Sequence, residues 1–222
     1  DVLGGDIESI CRHKAGIIKN GPAFFGCCIE EPARGILKSY GAEIARTELI
    51  KDYKISLDGE VRRGNAALAA AAARALGVCE KAIETGLEKA LSEGRCEEIF
   101  AGGKRYILDG AHNPEAFKPL AELLSSTAEV KEIIYGCLSD KDVDGCLEKL
   151  RGLADRITAV KPESPRAMDI KKITAACRRC FDNVCEADGV AGALGRAEAE
   201  TVVVCGSFTL LKEAKNWIEK KL

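Results

Sequence analysis

The strongest constraint on this sequence is the alternation of short apolar runs with helical stretches after residue 95. Residues 106–108, 132–135, 157–160 and 201–205 are compact runs rich in β-branched, aliphatic and aromatic side chains. Each is followed by a stretch of helical periodicity: 114–124, 142–153, 170–180 and 208–222. In 142–153, Val143, Cys146, Leu147 and Leu150 fall at i, i+3, i+4 and i+7, one face of a 3.6-residue period. In the last stretch Leu210, Leu211, Ala214, Trp217 and Ile218 point inward. Asn113 followed by Pro114 reads as a helix cap with proline at the first position. Repeated β–α units predict an α/β fold with a mostly parallel sheet and helices on both faces.

The first third is less regular. Residues 6–18 read as an amphipathic helix with Ile7, Ile10, Cys11, Ala15 and Ile18 on one stripe, and Lys14 falls on that stripe. A loop at 20–22 precedes a strand-like run at 23–29. A short helix ends at Gly41, and short strand-like runs follow over 42–57. Residues 65–76 are strong helix formers, stopped by Gly77. A second helix turns Ala82, Ile83, Leu87, Ala90 and Leu91 inward. The pattern changes at Ser92-Glu93-Gly94-Arg95, which predicts a domain boundary there. The expected domains are 1–92 and 93–222.

At 222 residues the chain is long enough for one large or two small domains. Its 46% apolar and 31% charged content excludes disordered and collagen-like classes. A net charge of −2 without a basic stripe argues against a nucleic-acid partner. No apolar run approaches the roughly 20 residues that span a bilayer, so no membrane partner is expected. The eleven cysteines are scattered. Cys177-x-x-Cys180 with Cys185 is the nearest to a metal or redox spacing, but a zinc site wants four ligands. Reduced, partly buried thiols are the plainer reading. The chain begins at Asp1 and its one methionine is Met168, which suggests residues upstream.

In an open α/β sheet, ligands gather at the carboxyl ends of the strands. There stand Asp109, Gly110 and His112; Gly136 with Asp140-Lys141-Asp142; Lys161 and Arg166; and Gly206-Ser207. Glycines among them permit close backbone approach. Lys14 has two readings: a lysine that snorkels past its stripe, or a buried amine of altered chemistry. No G-x-x-x-x-G-K-[ST] phosphate loop is present, and Gly102-Gly103-Lys104 reads as a hairpin turn.

Several motifs, in this order, resemble the folylpolyglutamate synthase/dihydrofolate synthase family of the Mur ligase superfamily. They are Lys14-Ala15-Gly16-Ile17-Ile18-Lys19, Gly64-Asn65-Ala66-Ala67-Leu68-Ala69, Gly94-Arg95, Leu108-Asp109-Gly110-Ala111-His112-Asn113-Pro114, Gly136 with Asp140-Lys141-Asp142, and Cys205-Gly206-Ser207-Phe208. The resemblance runs along the whole chain, which corresponds to the C-terminal half of such enzymes. It implies that residues 1–92 are the remainder of a central ATP-binding domain without its phosphate loop. It implies a Rossmann-like C-terminal ligase domain over 93–222. A magnesium-binding histidine of the family would lie just before Asp1-Val2-Leu3-Gly4.

By that resemblance Asn65, Arg95 and Asp109 contact ATP, and His112, Lys141 and Ser207 lie near the incoming glutamate, with His112 and Lys14 as the catalytic residues. Lys14 is the carbamylated lysine at the metal and phosphate site, which would also make it a magnesium ligand. Two positions depart from the family: His13 stands where glutamate is common, and Cys96 where phenylalanine is usual. The implied cofactors are ATP and Mg2+. The implied activity is ATP-dependent amide formation between L-glutamate and folate or dihydropteroate through an acyl phosphate, by a cytoplasmic monomer. Two alternatives remain: another Mur-type amino-acid ligase, or a stand-alone inactive module that binds nucleotide or glutamate.

Overall fold

A computed structural model of the protein describes residues 5–55, 59–90, 93–127, 129 and 131–221. The chain divides into two compact units, Asp1–Leu91 and Ser92–Leu222.

In unit 1, helix α1 (Ile7–Ala15) starts at Asp6, whose carboxylate accepts the Ser9 amide. A two-residue strand β1 (Phe24–Phe25) pairs in parallel with β2 (Glu43–Ile44) around helix α2 (Ala33–Ser39). A 3-10 turn over Thr47–Ile50 leads to α3 (Glu60–Ala75) and α4 (Glu80–Lys89). Glu43–Ile44 is the strand found within 42–55; residues 56 and 57 of that expected run lie outside the described residues, as do Leu91 and Asp1-Val2-Leu3-Gly4. The predicted stripe on α1 is narrower than expected. Cys11 and Ala15 are buried, whereas Ile7 and Lys14 are exposed. A helix of nine residues packed chiefly on α2 covers only one short face, so the Lys14 side chain is not sheltered within this unit.

Unit 2 is a three-layer α/β/α sandwich. Its sheet has the order β3-β4-β8-β5-β6-β7. The strands are β3 (Glu97–Ala101), β4 (Lys104–Asp109), β5 (Lys131–Tyr135), β6 (Arg156–Val160), β7 (Val184–Ala187) and β8 (Thr201–Cys205). All neighbours are parallel except β3 and β4, which form a hairpin through Gly102-Gly103. Helices α5 (Lys118–Ser125), α6 (Val143–Leu150) and α7 (Ile170–Cys177) cover one face. They pack Leu120, Leu124, Leu147, Leu150 and Ile173 onto Ile107, Ile133, Ile157 and Val203. Helices α8 (Val190–Arg196) and α9 (Phe208–Glu219) cover the other, setting Val190, Leu194, Leu210 and Ile218 against Leu108, Ile134, Val202 and Val204. Neighbouring strand residues face opposite layers, as the period of two demands. Each such aliphatic side chain contributes about 1.5–3 kcal/mol on full burial. The expected mostly parallel α/β sheet is therefore present. The helix expected over 114–124 opens as a 3-10 turn, Pro114–Phe117, before α5, with Asn113 accepting the Ala116 amide. Strands β3 and β7 and helix α8 were not expected; both strands are partly exposed edges, and α8 carries two glycines.

Candidate functional site

The strand order lines up the carboxyl ends of β4, β8, β5 and β6 side by side. Gly206 after β8 has a φ of 100°, and a Cβ there would come within 2.5 Å of the Gly136 carbonyl oxygen. Only a bare α-carbon lets these two strand ends approach so closely.

Asp109 ends β4 and is 3% exposed. Its Oδ2 accepts the Cys96 amide at 2.7 Å and the Cys96 thiol at 3.2 Å, and its Oδ1 accepts the Ala111 amide at 2.7 Å. The Gly110 amide donates to the Gly94 carbonyl at 2.7 Å. A buried carboxylate demands such donors. Here they fix the tight turn Gly94-Arg95-Cys96, in which Gly94 and Cys96 both have positive φ. Asp109, expected to contact ATP, is thus a carboxylate that already accepts from three protein donors.

That turn presents Arg95, whose guanidinium carbon lies 4.8 Å from the centre of the Phe208 ring, within cation–π range. Phe208 opens α9 and is 46% exposed. Its ring lies against Gly94 and Gly110, where a Cβ would meet it at 3.1 and 2.5 Å. His112 stands on another side, its ring centre 6.4 Å from that of Phe208. Its Nδ1 is 2.9 Å from the Gly110 carbonyl oxygen. A carbonyl only accepts, so Nδ1 carries the proton and Nε2 faces away as an acceptor in the neutral ring.

Lys141 follows β5, with Nζ 3.2 Å from the Asp140 carboxylate. The Arg166 guanidinium reaches the same oxygen at 2.8 Å. Lys141 first, and then Arg166, hold the Asp140 carboxyl below its usual range. Ser207 is buried and caps α9, its Oγ accepting the Thr209 amide and lying 2.9 Å from the Thr209 hydroxyl.

Residues 94–208 match the family described as Mur ligase, glutamate ligase domain. The chain belongs to the Mur ligase family. It is 34% identical over 233 aligned positions to the dihydrofolate synthase/folylpolyglutamate synthase of Escherichia coli (strain K12), covering 94% of this chain and 54% of that protein. It is 27% identical to the enzyme of the same name from Mycobacterium tuberculosis, covering 82% and 46%. The chain thus spans about half the length of these curated relatives. Among solved structures it resembles the M. tuberculosis folylpolyglutamate synthase complexed with ADP and AMPPCP. The TM-score is 0.83 at 25% identity, over 98% of this chain and 61% of that one. E. coli FolC in complex with DHPP and ADP gives 0.80 at 29% identity, over 98% and 58%.

Within this ligase domain Arg95, Asp109 and His112 share one neighbourhood at the end of β4, with Phe208. Ser207 and Lys141 follow the adjacent strands β8 and β5. Asn65 and Lys14 belong to unit 1 and are exposed there, Asn65 on α3 beside buried Ala66 and Ala67. The sequence places Phe208 at the end of the Cys205-Gly206-Ser207-Phe208 motif without pointing to Arg95; the signal for that contact is the pair of glycines, Gly94 and Gly110, that leave room for its ring. Among the described residues no group of three or more His, Cys, Asp or Glu side chains could hold a metal ion. Mg2+ demands a near-octahedral oxygen shell, and a carbamate on Lys14 would supply at most part of it. The described residues do not form a magnesium centre by themselves. None of the eleven cysteines is joined in a disulfide, and no helix among the described residues is long and apolar enough to cross a membrane.

Proposed function

We propose that this chain serves an ATP-dependent ligase that joins L-glutamate to folate or dihydropteroate. The observation that carries this reading is the Arg95–Phe208–His112 group. It sits at the strand-end row of a domain matched to the glutamate ligase family, and the relatives named above are folylpolyglutamate synthases. In the first step a substrate carboxylate oxygen takes the γ-phosphoryl group and ADP leaves. In the second the glutamate amine attacks the carbonyl carbon of the acyl phosphate, and phosphate departs as the amide forms.

Arg95 offers a planar fork to ATP phosphate oxygens, with the Phe208 ring beside it. Asp109 acts through the turn it holds. Asn65 contributes to the nucleotide from α3. Lys141 pairs with a glutamate carboxylate, with Ser207 nearby in the row, and His112 Nε2 takes the proton that the attacking amine gives up. Lys14 is assigned the carbamate.

The test is made on the native gene product, its mass read first by immunoblot. A mass about twice that of this chain, with ADP release dependent on both L-glutamate and dihydropteroate or folate, supports the reading. Lys14→Ala should then abolish turnover and leave the far-ultraviolet spectrum unchanged; undiminished turnover removes Lys14 from the site. Nucleotide binding without glutamate-dependent ADP release would instead mark an inactive binding module. Turnover confined to UDP-linked peptide precursors or cyanophycin would mark another Mur-type ligase.

A further inference from the structure

Two thiols outside the strand-end row form a site of their own. Residues 26–29 make a turn between β1 and α2, closed by the Ile29 amide donating to the Gly26 carbonyl at 3.2 Å. Cys27 and Cys28 occupy its two central positions. Their sulfur atoms are 3.8 Å apart. The turn is braced from α2, since the Arg34 guanidinium donates to the carbonyls of Ile29 and Cys27 at 2.9 and 3.2 Å. Both sulfurs rest against the bare α-carbon of Gly64, where a Cβ would come 3.3 Å from the Cys27 sulfur and 3.7 Å from that of Cys28. Cys28 is exposed and Cys27 half-buried.

The two thiols are pre-positioned to share one atom. A direct disulfide between them is disfavoured. Neighbouring α-carbons are about 3.8 Å apart across a trans peptide, whereas disulfides usually span about 4.4–6.8 Å. A single soft atom set between the sulfurs needs no such compression, and sulfur ligands select soft centres. We infer that Cys27 and Cys28 form a chelating dithiol site for a soft, thiophilic centre of the trivalent-arsenical class. With an arsine oxide, two As–S bonds form and the As–O bond breaks. Both thiol protons leave with that oxygen as water, and no electron changes hands. Of the other nine cysteines, Cys79 and Cys185 are also exposed, Cys180 is half-buried and Cys11 is buried. Cys96, Cys137, Cys146, Cys177 and Cys205 are buried, and burial pushes the Cys137 thiol up to about 11 and those of Cys146 and Cys177 to about 12. Thiols so shifted stay protonated near neutrality and react slowly.

The chelate touches α3 one residue before Asn65. The site stands whether or not the ligase reading holds. The probe is phenylarsine oxide, added to the whole chain and followed by intact mass and peptide mapping. One equivalent should bind at residues 27–28, resist glutathione, and be removed by dithiothreitol, the signature of attachment at two points. Cys27→Ser and Cys28→Ser should each weaken capture by about a hundredfold or more, the gain expected from linking two attachments, with circular dichroism unchanged. An adduct mapped elsewhere overturns the proposal, as does a glutathione-resistant adduct that persists in either variant. If hydrogen peroxide joins the two sulfurs while the arsenical is not captured, the pair is a disulfide switch and the chelate is refuted.

Discussion

Unit 2 and unit 1 solve the same packing problem with unequal means. In unit 2 a six-stranded sheet is covered on both faces, and side chains such as Phe117, Leu147, Ile157 and Val203 are completely buried. In unit 1 the cluster around α3 is Ala45, Ile50, Ala66, Ala67, Ala70 and Ile83, four of them alanine. Of the large apolar side chains that stand exposed among the described residues, Ile7, Ile17, Tyr40, Leu49, Val61, Leu76 and Val78 are in unit 1; Phe100 and Phe208 are in unit 2. Alanine removes little apolar area from water, and a two-residue parallel ladder adds few hydrogen bonds. The stability of the chain therefore resides mainly in unit 2, where the strand-end row is built.

The largest effect should come from separating the units. The polypeptide 93–222 alone should melt cooperatively by circular dichroism, and 1–91 alone should not. A cooperative transition in 1–91 would break the comparison outright. Next, Phe117→Ala should destabilise unit 2 by about 3–5 kcal/mol through the cavity it leaves, read from the denaturant midpoint. Ile50→Ala, equally buried in unit 1, should cost about 2–5 kcal/mol, enough to unfold unit 1 while unit 2 stays folded. Loss of the unit 2 transition as well would show the units to be one cooperative body.

Asp109→Ala sharpens the comparison at the site. It orphans the amides of Cys96 and Ala111, at about 1–3 kcal/mol each, and frees the turn that presents Arg95. Stability and the ATP requirement should worsen together. A weaker ATP response at unchanged stability would show that Asp109 meets the nucleotide directly.

The smallest effects are in acid. Burial pushes the Glu132 carboxyl up, but the Arg156 guanidinium at 2.7 Å and the amides of Glu198 and Ala199 outweigh it and hold it below its ordinary 4.5. A carboxyl depressed in the folded state stabilises above its ordinary value, and that contribution fades as the pH falls through the folded one. Glu132→Gln should flatten this acid limb of the unit 2 transition. In unit 1, Arg74 first and then Tyr53 hold the exposed Glu80 at about 2. Because this pair faces solvent, its acid response should vanish in high salt, whereas that of Glu132 should persist.

The sequence disclosed unit 2 far better than unit 1, for a physical reason. Val202, Val203 and Val204 of β8 face both layers, and a strand buried on both sides reads as an unbroken apolar run. Edge strands such as Val184–Ala187 bury little and so carry no such run. The row of polar groups at the strand ends was legible because topology alone puts ligands there. The engagement of the Asp109 oxygens was not, since it depends on a positive-φ turn thirteen residues away. Lys14 marks a limit of another kind: periodicity gives a direction on a helix, and only tertiary neighbours decide whether that direction is covered.

Strand β8 lies between β4 and β5 although it follows both by more than sixty residues. During synthesis, β4 and β5 must therefore emerge and wait with open ladders until residues 201–205 arrive to join them. Bare edges of this kind invite pairing with other chains. A ribosome that stalls before Thr201 would release a chain with helices α5 to α8 already made and its sheet in two pieces, a substrate for chaperones rather than for folding.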